Sequence, residues 1–240
     1  MSIEKQLPSR KGKAIMSKDN RKQIAYNYLR DAILNATLAP GTTIVEQDIS
    51  DVLGISRTPV REALKIVEAE GLVRQIPSRG TFVTEISTQD IEEIFELRET
   101  IEILALRVAI HDITDNELAN IDTLLCSLGP DSPPEDFYES DRNLHDLIIK
   151  HGHNRRLVLF LNNINSQVER LRHTSAQRPN RLPNSMKEHL AILEALKERN
   201  FNKAESTLKL HLTNVKLSTL DACKSLNSFS QNTADLCSKY

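Results

Sequence analysis

The stretch Gly54-Ile55-Ser56-Arg57-Thr58-Pro59-Val60-Arg61-Glu62-Ala63-Leu64 decides the architecture of the N-terminal part of this chain. Ser56 places a hydroxyl where a helix start leaves amides without partners. Pro59 falls in the first turn, where a missing N–H removes no hydrogen bond. Val60, Leu64 and Val67 recur at i, i+4 and i+7, the spacing of one packed helix face. Arg57 and Arg61 stand one turn apart on another face, in the N-terminal half of the helix. In a helix-turn-helix, that half of the second helix meets base edges and phosphates.

The flanking sequence completes a domain. Ile24 to Ala36 is amphipathic through Ile24, Tyr28 and Ile33, and Ala39-Pro40-Gly41 ends it with two breakers. Gln47 to Leu53 predicts a short second helix with Ile49, Val52 and Leu53 on its core face, and Gly54 suits the tight turn that follows. Leu72-Val73-Arg74-Gln75-Ile76 reads as a strand, Pro77-Ser78-Arg79-Gly80 as a turn and Thr81-Phe82-Val83 as the returning strand. Three helices plus a β-hairpin make a winged helix-turn-helix over residues 21–85, with Arg79 at the wing tip, able to reach a minor groove or a phosphate. Paired arginines also occur on solvated helix faces, and winged helices also bind proteins. The acidic Glu46, Asp48, Asp51, Glu68 and Glu70 balance the basic residues, so binding to phosphate requires the positive charge to gather on one surface.

Residues 24–84 resemble the N-terminal domain of GntR-type bacterial transcription regulators. The resemblance is carried by Pro40-Gly41, the run from Ser56 to Leu64, Glu70-Gly71-Leu72-Val73 and Arg79-Gly80, in that order and spacing. It implies that Arg57 and Arg61 contact a double-stranded DNA operator and that Arg79 and Gly80 form the wing tip. With Ser56 and Thr58 they make the expected DNA-binding set. Gln47 stands where some relatives carry a further DNA-contacting arginine, so operator sequence does not transfer.

Composition sets outer limits. The 240 residues suffice for two modest domains, and a net charge of −2 excludes a general polyanion binder. No run of 18 apolar residues occurs, and the N-terminus lacks a signal-peptide core. Cys126, Cys223 and Cys237 are scattered and read as free thiols, so a cytoplasmic protein is expected, without a membrane partner. Residues 1–20 are polar and largely basic, a flexible tail or an arm that tracks phosphates. The stretch 225–240 is Ser/Asn-rich and is expected to fray.

Beyond Glu85 glycine nearly vanishes, and amphipathic helices are predicted near 90–111, 114–128, 135–151, 154–176, 184–199 and 203–226, punctuated by prolines. The fold class is therefore mainly α: the winged helix, a short linker at Ile86–Thr88, and an all-α bundle over 89–224. Polar residues interrupt its apolar stripes. Asp141 and His145 share a face with Phe137, Leu144 and Ile148; His189 lies with Ile192, Leu193 and Leu196; His211 lies with Leu208, Leu212 and Val215. A core histidine is often only hydrogen-bonded, but an unpaired buried carboxylate is costly. One aspartate and three histidines on inward faces resolve that cost by sharing a divalent metal.

The C-terminal half resembles the helical ligand-sensing FCD domain of the FadR-like branch, through Asp141-Arg142-Asn143-Leu144-His145, Gly152-His153-Asn154-Arg155-Arg156-Leu157, Glu188-His189-Leu190-Ala191-Ile192-Leu193 and His211-Leu212. The resemblance implies that Asp141, His145, His189 and His211 bind a metal. Such ligation suits Zn²⁺, with Ni²⁺ or another first-row ion also accommodated. It also implies a small organic acid as effector, for which Arg98, Arg172 and Asn165 are the candidate partners; the alternative for Arg98 is an ion pair with Glu102. His151 and His153 read as helix-end residues rather than ligands.

Three readings stand beside one another. The first is a ligand-responsive regulator that reads a palindromic operator as a homodimer. The second is the same regulator with a purely structural metal. The third is a DNA-tethered metallohydrolase, for which Glu188 would be the general base, although it points about 100° away from His189 on its helix. A non-enzymatic regulator is the expectation.

Overall fold

The computed structural model describes residues 18–237, with side chains described over residues 19–224. The expected basic tail therefore lies mostly outside the described residues. The elements run α1 (Lys18–Leu34), β1 (Thr43–Ile44), α2 (Glu46–Leu53), α3 (Arg57–Ala69), β2 (Val73–Ile76), β3 (Gly80–Val83), α4 (Thr88–Asp112), α5 (Asp115–Cys126), α6 (Pro134–His151), α7 (Arg155–Ala176), α8 (Arg181–Lys197) and α9 (Phe201–Cys237). Backbone helix thus continues to Cys237, where a fraying tail from residue 225 is expected from composition.

The winged helix closes around Ala25, Leu29, Ile33, Ile49, Val60, Ala63, Leu64, Val67, Leu72 and Val83. Val60, Leu64 and Val67 lie on the buried face of α3, as their spacing predicts. Two expectations need correction. Val52 is exposed rather than part of the core, because the short α2 buries only the face that carries Ile49 and Ser50. Ile24 and Tyr28 are only half-buried, and Ala25 and Leu29 take the central positions on α1. Gly54 ends α2 at φ 64, a left-handed conformation that costs glycine little.

The hairpin of β2 and β3 pairs antiparallel from Val73↔Val83 to Ile76↔Gly80, and its tip spans Pro77 to Arg79. A third strand joins it: β1 pairs with β3 through Thr43↔Phe82 and Ile44↔Thr81. Two residues are too few to show a periodicity, so β1 has no sequence signature.

The bundle, six helices among the described residues, begins at once. Ser87 and Asp90 form a capping box that starts α4 two residues before the predicted boundary, and Thr114 with Glu117 does the same for α5. Prolines expected in the gaps stand inside first turns instead: Pro134 opens α6, and Pro183 is the third residue of α8, which begins at Arg181. Asn154 caps α7 through the amides of Arg156 and Leu157. The bundle core gathers Ile91, Leu106, Ile110, Leu144, Ile148, Leu171, Ile192, Leu196, Leu208 and Leu212. Among the described residues no helix is long and apolar enough to cross a membrane.

Candidate functional site

Helix α3 places Ser56, Arg57, Thr58 and Arg61 together on the exposed N-terminal end of the winged helix, and Arg79 and Gly80 are exposed on the wing. Ser56 has the extended backbone of an N-cap, but its hydroxyl makes no capping bond. The expected capping role is therefore corrected, and the hydroxyl stays available at the surface. Arg61 is held from below. Its Nε and Nη2 donate to the two carboxylate oxygens of Glu46 on α2, at 2.9 and 2.7 Å. Sequence reading treated Glu46 only as a balancing charge.

The second site lies inside the bundle. Asp141 and His145 sit one turn apart on α6, His189 is on α8 and His211 on α9, and all four are buried. One ligand atom from each lies within 4.8 Å of the others. Asp141 Oδ1 is 3.1 Å from His189 Nε2, 3.6 Å from His211 Nε2 and 3.8 Å from His145 Nε2. His211 Nε2 is 3.3 Å from His145 Nε2 and 3.4 Å from His189 Nε2.

The far sides of two rings are occupied. His145 Nδ1–H donates to Glu102 on α4 at 2.5 Å, and His211 Nδ1–H donates to Glu188 on α8 at 2.8 Å. With the protons on Nδ1, the Nε2 atoms of both rings present lone pairs toward each other and toward Asp141. Converging acceptors repel unless a cation sits among them. Ligands about 2.0–2.1 Å from a tetrahedral ion stand roughly 3.3 Å apart, and the separations above bracket that edge. The residues therefore fit a metal.

Electrostatics agree with that donor state. Burial raises the Asp141 carboxyl, but Arg172 and the surrounding imidazoles outweigh it and hold Asp141 well below the ordinary range. Glu102 is held at about 2, because Arg98 and His145 likewise overcome its burial. Burial pushes His189 down to about 4, with His211 adding to the effect. Burial pushes His145 down as well, so His145 and His189 favour the neutral form that ligation requires.

Two of the three expected effector partners adjoin this centre. Arg98 Nε donates to Glu102 at 2.5 Å, so the alternative ion pair is present, yet Arg98 Nη1 and Nη2 are buried with no hydrogen-bond partner. Arg172 pairs with Asp141, and its Nη1 is also buried without a partner. Asn165 is half-buried on α7, its side chain makes no hydrogen bond among the described residues, and it does not line the cavity beside the centre. That cavity, about 30 Å³, lies between α6, α7 and α8 and is lined by Asp141, His189, Arg172, Tyr138, Met186 and Ser175. Ser175 Oγ is another buried donor without a partner; as a small residue on a helix it gave no signal in the sequence.

Glu188 faces away from the converging Nε2 atoms, so it is not placed as a general base there. It accepts from Arg181, Asn214 and His211 Nδ1, on the far side of the His211 ring from Nε2. His151 stands in the last turn of α6 and His153 just beyond it, and they pair with Glu117 and Asp112 on neighbouring elements, at 2.9 and 2.6 Å. Cys126 and Cys223 are free thiols, and Cys237 lies outside the residues with described side chains.

Comparison with known proteins matches both halves. Residues 21–83 fit the model of bacterial regulatory proteins of the gntR family, and residues 93–214 fit the FCD domain. The uncharacterized HTH-type transcriptional regulator YdhC of Bacillus subtilis is 27% identical over 190 residues, covering 78% of this chain and 85% of that protein. A solved GntR transcriptional regulator from Rhodococcus sp. RHA1 superposes with a TM-score of 0.69 at 24% identity, over 84% of this chain and 98% of its own. The Zn²⁺-bound FCD domain of TM0439 superposes with a TM-score of 0.52 at 25% identity, over 57% of this chain and 96% of its own. These relatives are regulators of transcription, not enzymes.

Proposed function

The chain belongs to the gntR family of bacterial regulatory proteins, with an FCD domain behind its winged helix, and from that premise we propose a homodimeric, metal-dependent regulator that responds to a small carboxylate. DNA-binding transcription regulation is the family's activity. The finer reading adds a palindromic operator, a divalent ion held by Asp141, His145, His189 and His211, and an anion beside it.

The observation that carries the metal is the convergence of acceptor atoms whose protons are engaged elsewhere. Zn²⁺ is the ion proposed, because the donor separations suit a tetrahedral edge and a related FCD domain is known in a Zn²⁺-bound form. Charge supports the anion. Asp141 and Glu102 cancel Arg98 and Arg172, so a divalent ion leaves the buried centre positive. A carboxylate would offset that charge and supply acceptors for the partnerless Arg172 and Ser175 donors that line the cavity. The tightness of the cavity favours a second reading, in which the metal is structural and no effector enters.

Dimerisation draws support from α4, where Leu97, Leu104 and Val108 are exposed at i, i+7 and i+11. Two winged helices joined through such a face would read two half-sites.

The deciding experiment is metal content by mass spectrometry on untagged protein purified without chelator, beside the Asp141→Ala/His145→Ala variant. About one ion per chain, lost in the variant, is expected; no ion in the wild type overturns the metal reading. Screening small carboxylates for altered DNA affinity of the loaded protein then separates the two readings. A change is expected for sensing, and none across the screen leaves the structural metal.

A further inference from the structure

Two ligating imidazoles are each braced by a carboxylate that cannot itself reach the metal. Glu102 stands on α4, which supplies no ligand, and takes the Nδ1–H of His145. Glu188 is the sequence neighbour of His189, but adjacent helical positions diverge by about 100°. It turns away from its own helix's ligand and takes the Nδ1–H of His211 on α9.

Each carboxylate is fixed on its other side by an arginine. Arg98 Nε donates to Glu102 Oε1 at 2.5 Å. Arg181 holds both oxygens of Glu188, at 3.0 and 2.8 Å, and Asn214 adds a third donor at 2.8 Å. Neither carboxylate is therefore free to rotate away from its imidazole. His189 has no such brace among the described residues.

We propose that Glu102 and Glu188 are positioning residues of the metal centre, each holding one imidazole in the tautomer and ring rotation that aims Nε2 at the ion. This inference rests on the metal reading above. Nδ1 and Nε2 lie on opposite sides of an imidazole, so a proton pinned at Nδ1 leaves the lone pair at Nε2. An ionised partner also makes that nitrogen a stronger donor to a metal. A glutamine in place of either glutamate can present its NH₂ to Nδ1, which favours the other tautomer and removes the ligating lone pair.

The test compares wild type with Glu188→Gln, Glu102→Gln and, as a charge control, Glu194→Gln, which alters an exposed residue of α8. Zn²⁺ affinity is measured by competition with a chelating indicator, and the d–d absorption of the Co²⁺-loaded proteins reports ligand geometry. Circular dichroism and thermal melting of the metal-free proteins report folding. Affinity is expected to fall about 10- to 100-fold in each of the two glutamate variants, with an altered Co²⁺ spectrum, while Glu194→Gln matches wild type. Should Glu102→Gln fail to fold, because its glutamate is fully buried against Arg98, the half-buried Glu188 decides alone. Wild-type affinity and spectrum in a folded Glu188→Gln overturn the proposal. A wild type that binds neither Zn²⁺ nor Co²⁺ overturns instead the metal reading beneath it.

Discussion

Glu70, the residue that closes α3, accepts a hydrogen bond from Ser166 Oγ on α7 at 2.7 Å. Helix α3 thus ends on the helix that also carries Arg172, the partner of Asp141. The contact is extensive. Gln167 donates to the Glu70 carbonyl, Arg170 donates to the Thr84 hydroxyl and carbonyl, and Glu169 pairs with Arg30 of α1 and Arg142 of α6. Ser166 and Arg172 are six residues apart, about 9 Å along a helix. That length of helix links the Asp141–histidine cluster to the winged helix.

If α7 transmits the state of the centre, cutting its grip should uncouple metal from DNA. Operator affinity measured with and without Zn²⁺ gives the coupling free energy, which must be the same seen from either ligand. In Ser166→Ala/Arg170→Ala the ratio of the two affinities is expected to approach one. A ratio equal to the wild-type value would exclude this route.

On the DNA side, Arg57→Ala and Arg61→Ala should each weaken operator binding roughly tenfold or more. Glu46 adds a less obvious expectation. It engages the guanidinium of Arg61; if that pair must open for Arg61 to meet a phosphate, Glu46→Gln should strengthen binding to unrelated DNA and steepen its salt dependence by about one counterion. Fluorescence anisotropy over a salt series measures both, and an unchanged slope would mean that Glu46 does not withhold Arg61 from DNA.

Local features of this molecule were readable from sequence, and features made by distant segments were not. The α3 stripe and its arginines follow from a few neighbouring residues. The four metal-site side chains were visible because each is polar at a position whose helical neighbours are apolar. Glu102 could be paired with Arg98, one turn away, but its bond to His145 spans 43 residues and leaves no pattern in the chain. Glu169 and Arg30 meet only because α1 lies against α7. Val52 was misread because a helix as short as α2 has too few turns to distinguish core from flank.

Acid should loosen the joint between the two domains. His173 on α7 stacks on Tyr138 with ring centroids 4.0 Å apart, and its Nδ1 lies 3.1 Å from Asn35 Oδ1 beyond the end of α1. Burial, aided by the nearby Arg30, pushes this imidazole down from 6.5 to about 4. Between those values the unfolded chain takes up a proton that the folded chain refuses, so stability rises with pH. The contribution is present above pH 6.5 and lost as pH falls toward 4. Melting temperatures of Zn²⁺-loaded protein over this window should fall with acid, and His173→Gln should flatten the slope. An identical slope in the variant would assign the acid sensitivity elsewhere.

Gly152 marks a close approach of the end of α6 to α4. A Cβ at this position would lie 2.7 Å from Ala105 Cβ and 2.8 Å from Ala105 Cα, the latter a backbone atom of α4. The backbone at Gly152 has φ −70, so conformational freedom is not the requirement; space is. Gly152→Ala should therefore force α6 from α4 and destabilise the bundle by about 1–3 kcal/mol. A melting temperature within one degree of wild type would show that the helices part at no cost.

Metal binding should appear as stability, because the four ligands are brought together only in the folded chain. A ligand that binds the native state alone stabilises it by RT ln(1 + [L]/Kd), about 2.7 kcal/mol at a hundredfold excess over Kd. For a chain of this size each kcal/mol moves the midpoint by roughly 2–4 °C, so saturating Zn²⁺ should raise it by several degrees and chelator should reverse the shift. In His189→Ala/His211→Ala the shift is expected to vanish, while the winged helix keeps its own core around Val60, Leu64 and Leu72. A double variant that still gains several degrees with Zn²⁺ would place the ion on residues other than these four.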